Sequence, residues 1–165
     1  MQNNYLDSYP SVARFLHWAI AAMIIFNLLS GMVLAYFEDW SHQVDLFGLH
    51  KQIGMLILIL VSLRIIWRLT HTYPSLDALP LPGYEKKLAQ LGHIGLYVLM
   101  FCIPVSGFFF SQSASRDVYL LWLKLPRLIA GQDRIVVLQL LSVHKYLSVA
   151  IAVLIAIHIF AVIKH

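Results

Sequence analysis

The chain has 165 residues, of which 60% are hydrophobic and 12% are charged, and its mean hydropathy is +0.76. A soluble domain of this length carries roughly twice that charged fraction, so the composition excludes an ordinary soluble protein. The single cysteine, Cys102, excludes a disulfide framework and a thiolate metal site. The basic residues behind the formal net charge of +4 are scattered near the ends of apolar segments. That pattern indicates membrane flanks and argues against nucleic acid as a partner.

Apolar segments long enough to cross a membrane define the predicted fold. Residues 15–37, 88–115 and 146–163 contain no Asp, Glu, Lys or Arg, and a helix needs about 20 residues to cross a hydrocarbon core of about 30 Å. The first of these segments is too long for a cleavable signal peptide. A fourth apolar segment is interrupted by Arg64 and Arg68. We therefore predict an all-α membrane protein, in contact with lipid, whose single domain over 1–165 is a four-helix transmembrane bundle with helices at about 12–36, 46–69, 86–111 and 135–165.

The connection between the third and fourth predicted helices is neither fully apolar nor strongly polar. Residues 118–125 contain Trp122 and Lys124 and are followed by Pro126 and Arg127. Aromatic and basic side chains next to apolar ones are typical of a segment at the membrane surface. We expect a short amphipathic segment that lies in the interface.

Five histidines on the predicted helices fall at two depths in the membrane. His17 and His93 are at the start of helices that begin on the side of the N-terminus, and His50 and His144 are at the start of the two that begin on the opposite side. His158 follows His144 by 14 residues, which is a rise of about 21 Å and about 3.9 turns. His158 is therefore expected on the same face of its helix as His144, at the level of His17 and His93.

This arrangement predicts two stacked haems of the b type. A haem b needs two neutral imidazoles from facing helices, and the absence of a C-x-x-C-H motif excludes covalent attachment. We assign His50 and His144 to the haem on the opposite side, and His17 with His158 to the haem on the N-terminal side. His93 competes with His17, and a free His93 could exchange protons near the interface. A zinc site is the rival interpretation, but its ligands would have to converge at one depth.

The 14-residue step recurs on the other three helices, joining His50 to Arg64, His17 to Gly31 and His93 to Gly107. Arg64 is then expected beside the N-terminal-side haem, where a guanidinium neutralises a buried propionate; snorkelling to the surface is the alternative. Gly31 and Gly107 are expected to face the opposite-side haem, where a flat macrocycle can approach the backbone; helix packing through small residues is the alternative. The remaining histidines are interpreted as interfacial residues: His42, His71 and His165.

Six segments in a fixed order carry a resemblance to a known family: Arg14-Phe15-Leu16-His17-Trp18, His50-Lys51-Gln52-Ile53-Gly54, Leu63-Arg64-Ile65-Ile66-Trp67-Arg68, Gly92-His93-Ile94-Gly95-Leu96-Tyr97, Pro104-Val105-Ser106-Gly107, and His144-Lys145 through His158. With these segments the chain resembles the bacterial cytochrome b561 family, small di-haem membrane cytochromes related to the cytochrome b subunits of nickel–iron hydrogenases. Family members usually continue with a basic cytoplasmic tail after the fourth helix, and this chain departs from that pattern.

The resemblance implies that helices I and IV share a cytoplasmic haem and helices II and IV a periplasmic one, in agreement with the pairs assigned above. It also implies a bacterial inner membrane and a cytoplasmic N-terminus. Counting charges does not decide the orientation, because six basic residues fall on each side: Arg14, Arg64, Arg68, Lys86, Lys87 and Lys164 against Lys51, Arg116, Lys124, Arg127, Arg134 and Lys145.

The expected function is transfer of single electrons across the membrane. The resemblance implies exchange between superoxide or a periplasmic donor and the quinone pool, as in a superoxide:ubiquinone oxidoreductase. Basic residues on the opposite side could steer a small anion, although five acids dilute them. Two alternatives stay open: an electron-accepting subunit of a periplasmic redox enzyme, and a non-redox scaffold or transporter. Against a transporter, no inverted repeat or discontinuous helix pair is visible.

Overall fold

The computed structural model describes residues 11–37, 45–71 and 82–164. These residues form helix α1 (Ser11–Tyr36), helix α2 (Leu46–Thr70), helix α3 (Gly83–Ser113), strand β1 (Tyr119–Leu120), strand β2 (Leu123–Lys124) and helix α4 (Arg134–Lys164). All four helices are long and apolar enough to cross a membrane, so the predicted four-helix transmembrane architecture is confirmed. The expectations for His42 and His165 fall outside the described residues.

Local sequence explains where two of the helices begin. The Asp45 side chain accepts a hydrogen bond of 2.9 Å from the backbone N–H of Gly48, which satisfies one of the free donors in the first turn of α2. Helix α3 begins at Gly83, three residues before the expected start, and Pro82 precedes it. Proline is well tolerated at a helix start because the N–H that it lacks would have no partner there.

The helices pack in chain order, α1 on α2, α2 on α3 and α3 on α4. A buried apolar cluster joins α1 to α2 through Ile20, Ile24, Ile57 and Val61. On α2, Ile57 and Val61 come between His50 and Arg64 in the chain, so this cluster lies between the two levels at which histidines were predicted. Most other large apolar side chains are exposed on the outer faces of the helices, as expected for surfaces in contact with lipid.

The connection between α3 and α4 contains a β-hairpin. Strands β1 and β2 pair antiparallel, with Tyr119 opposite Lys124 and Leu120 opposite Leu123. The two-residue turn between them begins with Leu121, whose backbone φ of 55° is in the left-handed region. The amphipathic segment expected here from the sequence therefore adopts an extended conformation.

Polar contacts fix this connection to the helices. Buried Gln112, near the end of α3, donates a hydrogen bond to the Pro126 carbonyl at 2.8 Å and accepts one from the Leu128 N–H at 2.8 Å. From the start of α2, Lys51 Nζ donates to the Asp117 carbonyl at 2.7 Å. The hairpin is thus held against the end of the bundle at which α2 begins.

Candidate functional site

The structure brings together His50 of α2 and His144 of α4. Their ring centroids are 6.2 Å apart and their planes cross at 82°. A bond of about 2 Å from each imidazole to a shared metal ion would place the two centroids roughly 6 Å apart, so the separation is compatible with one ion between the rings. Among the described residues, no group of three or more His, Cys, Asp or Glu side chains is arranged to hold a metal ion. A pair of imidazoles fits a haem, which supplies the other ligands itself, better than a bare zinc ion.

The hydrogen bonds of His50 define which ring nitrogen is available. Ser30 Oγ lies 2.9 Å from His50 Nδ1, and the Ser30 hydroxyl donates its hydrogen to the Asn27 carbonyl at 3.1 Å. The hydroxyl oxygen must therefore accept from the Nδ1–H of His50. This tautomer leaves the lone pair on Nε2, the state in which a neutral histidine binds a metal.

His144 is held in the same way from α3. Ser106 Oγ lies 2.9 Å from His144 Nδ1 and donates its own hydrogen to the Ile103 carbonyl at 2.7 Å. The Ile103 carbonyl also lies 3.1 Å from His144 Nδ1. His144 Nδ1–H thus has two oxygen acceptors, and its Nε2 keeps its lone pair.

Gly31 and Gly107 leave space for these two imidazoles. A Cβ atom on Gly31 would lie 3.3 Å from His50 Cε1, and one on Gly107 would lie 3.0 Å from His144 Cε1. Neither glycine has a positive φ, so the missing side chain provides room rather than a special backbone conformation. From the sequence, both glycines are expected at the opposite-side haem, and the structure puts each against a histidine assigned to that haem.

On the N-terminal side, the ring beside His158 is that of His93. Their centroids are 5.6 Å apart and their planes cross at 64°. His17 is exposed and makes an edge contact with its neighbour Trp18, with centroids 5.3 Å apart. From the sequence, His17 is preferred as the partner of His158, but within the described part of the chain the ring contact of His158 is with the competing His93.

Arg64 lies between the helices that carry His17 and His93. Its Nε donates to the Tyr97 hydroxyl at 3.1 Å, and its Nη1 donates to the Ala13 carbonyl at 2.9 Å. Ala13 is one turn before His17 on α1, and Tyr97 is one turn after His93 on α3. The guanidinium is thus held at the level of the N-terminal-side histidines, as the 14-residue step from His50 predicts.

Trp67 and His71 lie near the end of α2, on the N-terminal side. The indole N–H of Trp67 is buried without a hydrogen-bond partner among the described residues. The ring of Trp67 stacks on that of His71, with centroids 3.9 Å apart and planes 10° from parallel. His71 is exposed at the end of α2, and the buried indole N–H is a donor available to an acceptor at this level.

The side chains that hold the histidines were not predicted from the sequence. Ser30 and Ser106 were not singled out, although each immediately precedes one of the two predicted glycines. The repeated Ser-Gly pair was the available signal. It was hidden because serine inside a helix usually bonds to its own backbone.

Comparison with known proteins identifies the family of this chain. A family model described as prokaryotic cytochrome b561 matches residues 8–165. The chain is 27% identical over 170 aligned residues to cytochrome b561 homolog 2 of Escherichia coli (strain K12), an alignment that covers 98% of this chain and 86% of that protein. It is 28% identical over 99 residues to the probable superoxide oxidase CybB of Yersinia pestis, covering 60% of this chain and 55% of that protein. The chain therefore belongs to the prokaryotic cytochrome b561 family of multi-pass bacterial membrane proteins, which bind haem b in a helical bundle and transfer electrons.

Proposed function

We propose that this cytochrome holds two haem b groups, one near each surface of the membrane, and passes single electrons between them. The observation that carries the proposal is the pair His50 and His144, whose Nδ1 atoms both face serine hydroxyls at 2.9 Å. Both rings therefore have Nε2 available, and their centroids are 6.2 Å apart. When bound, each haem supplies an iron that accepts and releases one electron.

The second haem would be held about 21 Å away along α4, by His158. Its other ligand is His17 or His93. The family resemblance, in which helices I and IV share this haem, favours His17; the ring contact at 5.6 Å supports His93. The histidine that is not a ligand remains at the same level and can exchange protons with an acceptor there.

The chain also offers donors for the acidic edge of the second haem. Arg64 is half-buried and fixed by Tyr97 and Ala13, so its charge is held at that depth at little further entropic cost. We propose that the Arg64 guanidinium neutralises a propionate, which is costly to bury alone. The buried indole N–H of Trp67 is a second donor for a propionate or a quinone carbonyl.

The proposed donor and acceptor are superoxide and ubiquinone. Two superoxide ions each give up one electron and leave as O₂, and ubiquinone takes up two electrons and two protons to become ubiquinol. The name of the Yersinia pestis relative supports superoxide. Positive charge on the opposite side supports it as well, because Lys51 Nζ and the Arg116 guanidinium lie over the Phe47 ring at 4.9 and 4.6 Å. We place the N-terminus in the cytoplasm of a bacterium and the opposite side in the periplasm, across the inner membrane.

The experiment that tests this function uses the haem-loaded protein in detergent with a soluble ubiquinone analogue. Superoxide is generated in the cuvette, and haem reduction and ubiquinol formation are followed optically. We expect both to occur and to be abolished by superoxide dismutase. H144A should lose the activity, while the control S62A, whose hydroxyl bonds to the Leu58 carbonyl of its own helix, should keep it. Haem reduction no faster than that of free haem would contradict the proposed donor.

A second candidate is an electron-accepting subunit of a periplasmic redox enzyme. The β-hairpin favours it, because its turn exposes Trp122 to 87% and its strand β2 exposes Leu123 to 58%. Exposed apolar groups outside the helices suit the surface of a partner or the lipid interface. Affinity purification from a bacterial membrane should then yield a stoichiometric redox partner, and full superoxide:ubiquinone activity of the isolated chain would argue against this candidate.

A further inference from the structure

We propose that Ser30 and Ser106 are positioning residues that fix the tautomer and orientation of the two axial histidines of the opposite-side haem, and thereby set its reduction potential. This inference rests on the two-haem function proposed above. Neither serine is expected to touch the haem iron. Each acts through the histidine that it holds.

The same set of hydrogen bonds occurs twice, once between α1 and α2 and once between α3 and α4. Helix α1 holds His50 of α2 through Ser30, and helix α3 holds His144 of α4 through Ser106, both at 2.9 Å from Nδ1. In each case the serine hydrogen is used on the carbonyl three residues earlier in its own helix. The serine oxygen is therefore oriented as an acceptor before any ligand binds.

The sequence spacing of the two helix pairs supports a common arrangement. Ser30 follows His17 by 13 residues, and Ser106 follows His93 by 13 residues. Each serine is followed by the glycine that gives the imidazole its space, and each of the held histidines is followed by a lysine: Ser30-Gly31 with His50-Lys51, and Ser106-Gly107 with His144-Lys145. The two helix pairs differ on the N-terminal side of the membrane. The residue 14 positions after His50 is Arg64, whereas the residue 14 positions after His144 is His158.

The contacts of the serines confine their effect to one haem, because Ser30 bonds to His50 and Ser106 bonds to His144, both of the opposite-side pair. The opposite-side site has equivalent supports from both helix pairs, whereas the N-terminal-side site is built from unequal residues. An acceptor on Nδ1–H increases the electron density on Nε2 and favours oxidised iron. Loss of either serine should therefore raise the potential of the opposite-side haem and leave the other haem unchanged.

The two serines should be about equally important. His144 Nδ1 keeps the Ile103 carbonyl at 3.1 Å when Ser106 is removed. His50 also makes a hydrogen bond to the backbone of Asn27, three residues before Ser30, so it keeps an acceptor when Ser30 is removed. Changes to the hydrogen bonds of a metal-binding histidine alter metal affinity by about 10- to 100-fold, and we expect S30A and S106A to fall near the lower end of that range because one acceptor remains in each.

The test is a spectroelectrochemical titration of the purified, haem-loaded protein, with haem content measured in parallel. The variants are S30A, S106A, the threonine variants S30T and S106T, and the control S62A. Ser62 bonds to the Leu58 carbonyl of its own helix at 2.7 Å and no contact with a histidine is found for it in the described part of the chain. We expect S30A to shift the oxidised-to-reduced ratio of one haem by about threefold to tenfold, which is about 30–60 mV for one electron. S106A should shift it by a similar factor.

The outcomes separate this inference from the function on which it rests. Fewer than two haems in the unmodified protein would contradict the two-haem function itself. With two haems present, S30A and S106A potentials equal to that of S62A would overturn the role of the serines. Recovery of the potential in a threonine variant, which keeps the hydroxyl, would support it. If S30A loses its fold, S106A decides, because the Ile103 carbonyl still holds its histidine in place.

Discussion

The imidazole planes of His50 and His144 cross at 82° while their centroids lie 6.2 Å apart. Each ring is fixed by hydrogen bonds from a different helix, so the crossing angle is set by the protein rather than by the ring itself. Crossed axial planes leave the two iron d orbitals that overlap with them close in energy. We therefore predict a highly anisotropic low-spin signal for the opposite-side haem in the electron paramagnetic resonance spectrum of the oxidised protein. An ordinary rhombic low-spin signal from both haems would mean that the rings lie nearly parallel.

Substitution of His17 and His93 separates the two candidate ligands of the second haem. Loss of an axial ligand should remove one haem or convert it to a high-spin form, while loss of a proton-exchanging group should leave both low-spin spectra intact. We expect H17A to change the spectrum and H93A to keep it, with slower ubiquinone reduction. The reverse result would assign the ligand to His93, in line with its ring contact with His158.

Gly107 is predicted to be sensitive to the smallest side chain. In G107A the new Cβ would lie 3.0 Å from His144 Cε1 and 3.2 Å from Nδ1, so the imidazole must shift by a few tenths of an ångström from the position in which it would hold a haem. We predict lower occupancy of one haem, with roughly tenfold weaker haem binding. In the control G92A, on the same helix, the new Cβ meets nothing within 4 Å, and haem content should be unchanged. Equal haem content in the two variants would show that the space at Gly107 is not needed.

The charged contacts of the hairpin predict how its conformation depends on pH. The hydrogen bond from Lys124, at 2.7 Å, holds the pKa of Asp117 below its ordinary value of 3.8, and the same bond raises the pKa of Lys124 above 10.5. Ionised Asp117 therefore stabilises the hairpin above pH 3.8, and this stabilisation is lost as the pH falls through the lower pKa that Asp117 has in the folded protein. Charged Lys124 stabilises the hairpin below pH 10.5, and this stabilisation is lost as the pH rises through the higher pKa that Lys124 has in the folded protein.

The fluorescence of Trp122 reports on the hairpin and is obtained as the difference between the unmodified protein and W122F. We expect this fluorescence to stay constant between pH 3.8 and 10.5. It should change outside that window. D117N should abolish both changes, and added salt should weaken them because the pair is exposed. A midpoint near neutral pH would contradict the assignment.

The helices and the depth of the histidines follow from the sequence because hydropathy and the helical rise are regular properties. The hairpin does not, because its turn contains Leu121 and Trp122 instead of the glycine or asparagine that usually marks such a turn. The contacts of Ser30 and Ser106 also could not be predicted, since they depend on how neighbouring helices rotate against one another. The contacts of Gly31 and Gly107 depend on the same rotation. The 14-residue spacing predicts their depth in the membrane, but only the structure shows which histidine ring lies against each glycine.

The measurement that tests the central proposal most directly is the haem content per chain of the detergent-purified protein, by pyridine haemochrome, with a reduced-minus-oxidised spectrum. We predict two haem b per chain with sharp low-spin bands in the unmodified protein and in the control S62A. In H144A, which removes one ligand of the opposite-side haem, we predict a single remaining haem. One haem in the unmodified protein would show that one of the two ligand pairs is misassigned. No haem, after expression with ample haem supply, would contradict the electron-transfer function.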